Sequence, residues 1–478
     1  MKTFKNYIYN SLYQFLNTVL PLITAPYVSR VLHPEGVGIN TMASSLAAYF
    51  LLFGQLGLVM YGNREVAYTR EQEEEKSITF WNVFITRFLT ISLSMVVYIM
   101  VVEIMNIPNK DIYILYSLNF VASFLDITWY FMGIENFKVI AVRGIVLRII
   151  SIMLIFLLVK TPDDLWVYVL ILVGGTVVAN ISLLTMIRHE VKLVRIKDLQ
   201  IKKTLVDSIP IFLPGIATSV YLILNKLMIG WIDSTQSAGF FQQADSIIKI
   251  VVNLTTSLSS VLLPKIANNY KNDEKEKTIE ILKQSTSVSS VLAVGAMFGI
   301  LGVANLFVPL FFGELFIPSV PILMVESIMI VAITWNAIVG WQFLMPTQRT
   351  NILTISVIIG AITNFILNIP LIIFWGPTGA AWASVFSELA TFIYMFVKTR
   401  HILDYKELFE GTYKYVIAGI LMAIIIMLEP VTQSFSPLLK LVIKIVIGIF
   451  VYVALLVALK PPIIKYLVHV YNLFRRQR

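Results

Sequence analysis

Several ionisable residues stand inside long apolar stretches of this sequence, where a bilayer makes an isolated charge costly and usually functional. Lys249 lies about eleven residues into its stretch, roughly 16 Å along a helix, too deep to snorkel easily to water. Asp245 precedes it by one helical turn, so the two can pair. Arg87 and Arg148 lie about two turns from one end of their stretches, within snorkelling reach, and Arg30 and Lys226 lie near the opposite end. Asp126, Glu326 and Glu388 are acids at similar depth. More fixed cations than anions in a cavity would favour an anionic substrate by Coulomb attraction, strengthened where water is scarce. The acids could carry a coupling H+ or Na+, or merely neutralise the arginines; the sequence leaves both open.

Uncharged polar residues recur at helical spacing in the same stretches. Asn6, Asn10, Gln14 and Asn17 share one helical face. Gln242, Ser246, Lys249, Asn253, Thr256 and Ser260 form a second stripe, with Asp245 beside it. Lipid offers such stripes no partners, so they face protein or water. Interhelical hydrogen bonding in a packed bundle is one reading. A water-filled cavity is favoured, because both stripes occupy early helices of their halves. Gln14, Asn17, Gln242 and Asn253 thereby join Lys249, Lys226, Arg30, Arg87 and Arg148 as candidate substrate contacts. Asp126, Asp245, Glu326 and Glu388 are the candidates for ion coupling.

Nothing in the sequence assembles into a catalytic centre. His33, His189, His401 and His469 are far apart and near the ends of apolar stretches. No phosphate-cradling G-x-x-x-x-G-K-[ST] motif occurs. Cysteine is absent, which removes disulfides, thiol chemistry and cysteine-ligated metals. The expectation is a non-enzyme without metal or organic cofactor, with H+ or Na+ as a coupling ion. The net charge of +9 invites a nucleic-acid reading, but the basic residues lie in short loops between apolar segments and read as topology signals.

The elements that must hold these residues are membrane helices. The chain has 478 residues of which only 14% are charged, against about a quarter in soluble domains. Apolar stretches predict about fourteen spans, near 6–32, 37–62, 79–103, 111–133, 140–160, 165–187, 206–231, 238–264, 285–311, 320–345, 351–375, 378–398, 414–429 and 438–459. With a cytoplasmic N-terminus, roughly 28 of the 37 basic residues fall on the inner side and about two outside. Lys138 and Arg143 count among the inner ones. Both termini are therefore expected in the cytoplasm. The first segment, broken by Asn10, Gln14 and Asn17, reads as a retained helix and not as a cleavable signal. Pro21 and Pro26 in the first span, and Pro210 and Pro214 in the seventh, are expected bend points.

A basic stretch over 188–207 follows the sixth span and is read either as an amphipathic linker on anionic lipid or as a solvated orientation signal. A weak repeat supports a division there. VGINTMASS (37–45) opens the second span and AGFFQQADS (238–246) the eighth, matching Gly38 with Gly239, Ala43 with Ala244 and Ser45 with Ser246. The expected architecture is all-α and polytopic, with two six-helix lobes in parallel pseudo-two-fold repeat and a C-terminal helix pair. The boundaries are a lobe over 1–187, a linker over 188–205, a lobe over 206–400, and a helix pair with a basic tail over 401–478.

The stretch DITWYFMGIENFKVIAVRGIVLRIISIMLIFLLVKTPDDLWVY (126–168) resembles polysaccharide flippases of the Wzx type, as does GLVMYGNREVA (57–67). WGPTGAAWASVFSE (375–388) is similar to the Gly-Ala-rich opening of that family's twelfth helix. The resemblance implies a bacterial cytoplasmic-membrane protein with two lobes around a central cavity. Its activity would be alternating-access transfer of undecaprenyl-pyrophosphate-linked oligosaccharide from the inner to the outer leaflet, for capsule, O-antigen or exopolysaccharide. The lipid bilayer, a glycan polymerase and chain-length proteins would be the partners. A peptidoglycan-precursor flippase and a multidrug exporter of the MATE type are the rival transporters. Outside that class, a membrane glycan polymerase or acyltransferase is the alternative, although neither a sizeable outer loop nor an intramembrane His is evident.

Overall fold

The computed structural model describes the backbone of residues 2–187, 190–428, 435–464 and 466, and the side chains of these except 2–19, 196, 213–222 and 260–261. Among the described residues the regular structure is helical, without a strand. A helix satisfies its own backbone groups, which is what a chain of this composition needs in lipid. Among the described residues ten helices are long and apolar enough to cross a membrane, accompanied by shorter apolar helices at Ile223–Ile232 and Thr412–Leu428. The expected all-α polytopic class is therefore the one observed. Packing divides the chain into two compact units, Met1–Gly239 and Phe240–Arg478.

The first unit contains α1 (Lys2–Gln55), α2 (Leu58–Thr69), α3 (Glu73–Ile104), α4 (Lys110–Leu115), α5 (Leu118–Leu125), α6 (Thr128–Gly133), α7 (Phe137–Leu158), α8 (Leu165–Ile187) and α9 (Ile201–Ile232). At 54 residues α1 is far too long for one crossing, and its backbone breaks once, at His33 (φ 58, ψ 173). Pro34 follows and holds the preceding residue out of the helical region. Helical backbone continues through Pro21 and Pro26, and the break falls between the expected spans 6–32 and 37–62. The fourth expected span is divided into α4, α5 and α6. Trp129 of α6 is fully buried, stacked on Phe80 of α3 at 5.6 Å. With Ile127, Tyr130, Phe131 and Ile140 it forms the core of this end of the unit.

The basic linker is fastened to the start of α3. The Lys192 amide donates to Ser77 Oγ (3.1 Å), and Trp81 Nε1 donates to the Lys192 carbonyl (3.0 Å). The Gln200 amide donates to Asn82 Oδ1. Lys192 Nζ also reaches Glu73 (2.8 Å), and that hydrogen-bonded carboxylate raises the ammonium above its ordinary range. Between 190 and 200 the one helical turn is Ile196–Asp198, so no amphipathic helix forms there. Arg188, His189, His469 and the basic tail from 467 lie outside the described residues.

The second unit is built on α10 (Thr235–Lys271), whose first turns lie before the division, then α11 (Lys275–Phe312), α12 (Ser319–Asn336) and α13 (Thr350–Thr399). It ends with α14 (Tyr405–Leu408), α15 (Thr412–Leu428) and α16 (Pro437–Leu459). Eight π-helical residues, Ala337–Leu344, continue α12, a form that concentrates at functional or strained positions. The 50 residues of α13 break at Gly376 (φ 56, ψ −140), a conformation open essentially to glycine. The chain turns back sharply there, because a Cβ on Gly379 would lie 1.8 Å from the Leu371 carbonyl oxygen. The Gly-Ala stretch thus makes the turn between the eleventh and twelfth expected spans. The terminal pair packs on α11, with Ser287 hydrogen-bonded to Tyr415 (2.6 Å) and Tyr452 donating to the Val291 carbonyl (2.9 Å). Lys444 is buried and does not snorkel; its Nζ donates to the Ile426 carbonyl near the C-terminus of α15.

Candidate functional site

A cavity of about 620 Å³ lies within the first unit, between α1, the α4–α6 segment, α7 and α8. Leu20 and Thr24 contribute from α1, Arg143, Leu147 and Arg148 from α7, and Tyr168, Thr176 and Asn180 from α8. Asp126 and Thr128 close another wall, at the break between α5 and α6. That break positions Asp126: its carboxylate accepts the Thr128 amide (2.9 Å), and its carbonyl accepts Trp129 Nε1 (3.1 Å). Asn180 Nδ2 donates to the Ala122 carbonyl (2.8 Å), tying α8 to α5 beside the cavity.

Arg148 lies eleven residues into α7, roughly 16 Å from its start, and its side chain is exposed. Arg143 is half-buried, with Nη1 donating to the Ala179 carbonyl of α8. Arg143, counted among the inner basic residues of the expected topology, lines the cavity together with Arg148. The signal was its position five residues before Arg148 in one apolar run, which the uncertainty of span ends obscured.

Arg87 is only 1% exposed, so it does not snorkel. Its Nη2 donates to the Ser123 carbonyl (2.7 Å), while Nε and Nη1 have no hydrogen-bond partner among the described residues. Gln55 of α1 donates to Ser123 Oγ (3.1 Å) on the same turn of α5. Asp126 acts electrostatically on the buried guanidinium as its countercharge. Three of the charged residues singled out in the sequence, Arg87, Asp126 and Arg148, thus meet in one part of the first unit.

Among the described residues, the remaining candidates do not line this cavity. Arg30 is exposed on α1, donating to the Pro26 carbonyl (3.2 Å), and Lys226 is half-buried on α9. The side chains of Gln14 and Asn17 lie outside the described residues. In the second unit Lys249 pairs with Asp245 at 2.7 Å; the carboxylate is buried while the lysine is 47% exposed. Gln242 is half-buried and Asn253 exposed on the same helix. Glu326 is fully buried on α12. Glu388 accepts Asn336 Nδ2 at 2.7 Å, a partner not singled out in the sequence because it stands on another helix. Among the described candidates, Arg87, Asp126 and Arg148 fall in one region of the first unit, and Asp245 and Lys249 pair in the second.

Solved membrane transporters share this fold. A structure described as lipid II flippase MurJ in an inward closed conformation matches 93% of this chain and 97% of its own at a TM-score of 0.76 and 18% identity. An inward-facing multidrug resistance MATE family transporter matches 83% of this chain and 97% of its own at 0.59 and 14% identity. The chain belongs to the polysaccharide biosynthesis protein family, whose family model matches residues 3–270. A protein of Escherichia coli (strain K12) named for O-antigen transport is 24% identical over 405 residues, spanning 84% of this chain and 97% of that relative.

Proposed function

We propose that this protein is a flippase that moves polyprenyl-pyrophosphate-linked oligosaccharide units across a bacterial cytoplasmic membrane for surface polysaccharide assembly. What carries the reading is Lys249, half-exposed on an apolar helix and paired with a buried Asp245. An ammonium held there by a carboxylate is pre-positioned for a phosphate-bearing headgroup. Family membership and the O-antigen transport named for the relative supply the cargo class. Lys226, Arg30, Gln242 and Asn253 are proposed to contact the headgroup and sugars, with Gln14 and Asn17 proposed on the sequence stripe alone. Asp245, Glu326 and Glu388 are proposed to serve ion coupling, by H+ or Na+.

The same reading carries fourteen spans in two six-helix lobes with a terminal pair. Counting α1 and α13 as two spans each, because each is broken once, and adding the two shorter apolar helices to the ten gives that number. An even number returns both termini to the cytoplasm, as the charge distribution favours. Transport by alternating access and association with a glycan polymerase follow as parts of this proposal.

The test is Lys249→Ala in a strain whose surface polysaccharide depends on this protein. Export is expected to fall below detection while the protein remains in the membrane at its normal level. Undiminished surface polysaccharide would remove Lys249 from the mechanism.

A further inference from the structure

We propose that the cavity of the first unit is a phosphate-oxyanion site, with Arg143 and Arg148 as its cationic ligands and Arg87 serving only to neutralise Asp126. Among the described residues, the ionisable side chains lining the cavity are Arg143, Arg148 and Asp126. Taken alone, Asp126 could make the cavity a cation or proton site. The buried Arg87 changes that balance, because it has lost its hydration and Asp126 acts on it as a countercharge. A buried guanidinium without such a partner would be strongly destabilising. The Asp126 carboxylate accepts the Thr128 amide and acts as a countercharge on Arg87, while the cationic lining comes from the two arginines of α7.

The remaining lining fits an oxyanion. Guanidinium groups present planar, paired donors matched to phosphate oxygens. Asn119, Ser151, Tyr168 and Thr176 add neutral polar groups to the lining. Leu147, Ile152, Ile155 and Leu172 make the rest of the wall apolar, so the field of the arginines is weakly screened. Arg148 is exposed and accessible, while Arg143 is anchored through the Ala179 carbonyl and so presents a fixed charge. The outer flank of α7 carries exposed Val142, Val146, Ile149 and Met153, a surface suited to lipid. The phosphate can therefore come from a lipid headgroup in the bilayer or from inorganic phosphate in water. The site stands on this cavity and does not require the transport reading.

Binding to the full-length chain in phosphatidylcholine nanodiscs tests it, with inorganic phosphate and phosphatidic acid as separate probes. The wild type is expected to bind at least one probe, and Arg148→Gln to weaken that binding by about tenfold or more. Binding of phosphatidic acid alone assigns the phosphate to a lipid, and binding of inorganic phosphate alone assigns it to the aqueous phase. The double variant Arg87→Met/Asp126→Asn removes the compensating pair together and is expected to retain the wild-type affinity. A folded double variant that loses binding as Arg148→Gln does would overturn the assignment. So would equal binding of both probes by wild type and Arg148→Gln, or failure of both to bind. Thermal stabilisation of the wild type by sodium but by neither phosphate probe would also overturn it, whatever the folding of the double variant. Polysaccharide export is not the readout, so failure here and failure of the transport reading are separately visible.

Discussion

Gly38 and Gly239, the two glycines aligned by the internal repeat, meet each other in the structure. A Cβ built on Gly239 would lie 3.0 Å from the Gly38 amide nitrogen and 2.4 Å from the Pro34 carbonyl oxygen. A Cβ on Gly38 would lie 1.9 Å from the Thr235 carbonyl oxygen. The second segment of α1 and the first turn of α10 therefore touch backbone to backbone, and each matched position excludes a side chain for the same reason. Gly38→Val is expected to force these segments apart and to cost about 1–3 kcal/mol. A fall in the melting temperature of the purified protein would register it; an unchanged value would mean that the contact is not maintained.

The Arg87–Asp126 relationship predicts strong non-additivity. Asp126→Asn removes a countercharge that acts on the buried guanidinium and is expected to cost about 1–3 kcal/mol. Arg87→Met/Asp126→Asn removes both charges and is expected to recover much of that loss. Melting temperatures of the single and double variants form the required cycle. Additive losses would show that the two charges do not compensate each other.

The two helix breaks call for opposite substitutions. His33 is exposed and holds a backbone conformation (φ 58, ψ 173) that is costly for any residue bearing a Cβ. His33→Gly is expected to stabilise the fold by about 1 kcal/mol. Gly376 holds φ 56 and ψ −140, and Gly376→Ala is expected to destabilise by about 1–3 kcal/mol. Thermal unfolding distinguishes the signs, and a loss of stability in His33→Gly would contradict the strain argument.

Orientation has its own test in a chain without native cysteine. Ser234 and Ser436 are exposed between spans. Cysteine substituted at either position is expected to react with an impermeant thiol reagent applied to intact cells. Reaction only after lysis would invert the proposed topology.

Helices were legible in the sequence where a single apolar run supplied the signal, and so was the Asp245–Lys249 pair, which needs only four-residue spacing. The α1 break was legible too, since the expected spans end at 32 and resume at 37 and Pro34 disfavours helix at His33, whereas Pro21 and Pro26 are accommodated within helical backbone. The cavity was out of reach. Its walls come from α1, α4–α6, α7 and α8, and depth along separate helices does not say which faces converge. The burial of Arg87 likewise depends on α5 offering the Ser123 carbonyl and Asp126. Periodicity placed these charges in the membrane, but tertiary packing selected their partners.

Transport of a lipid-linked glycan is proposed to depend on Lys249. Its most direct measurement is leaflet exchange of polyprenyl-pyrophosphate oligosaccharide in proteoliposomes holding the purified full chain. Wild-type protein is predicted to deliver substrate to the opposite leaflet, and Lys249→Ala to reduce exchange to the protein-free rate. Exchange by the wild type no faster than in empty liposomes, or by the variant as fast as by the wild type, would contradict the account.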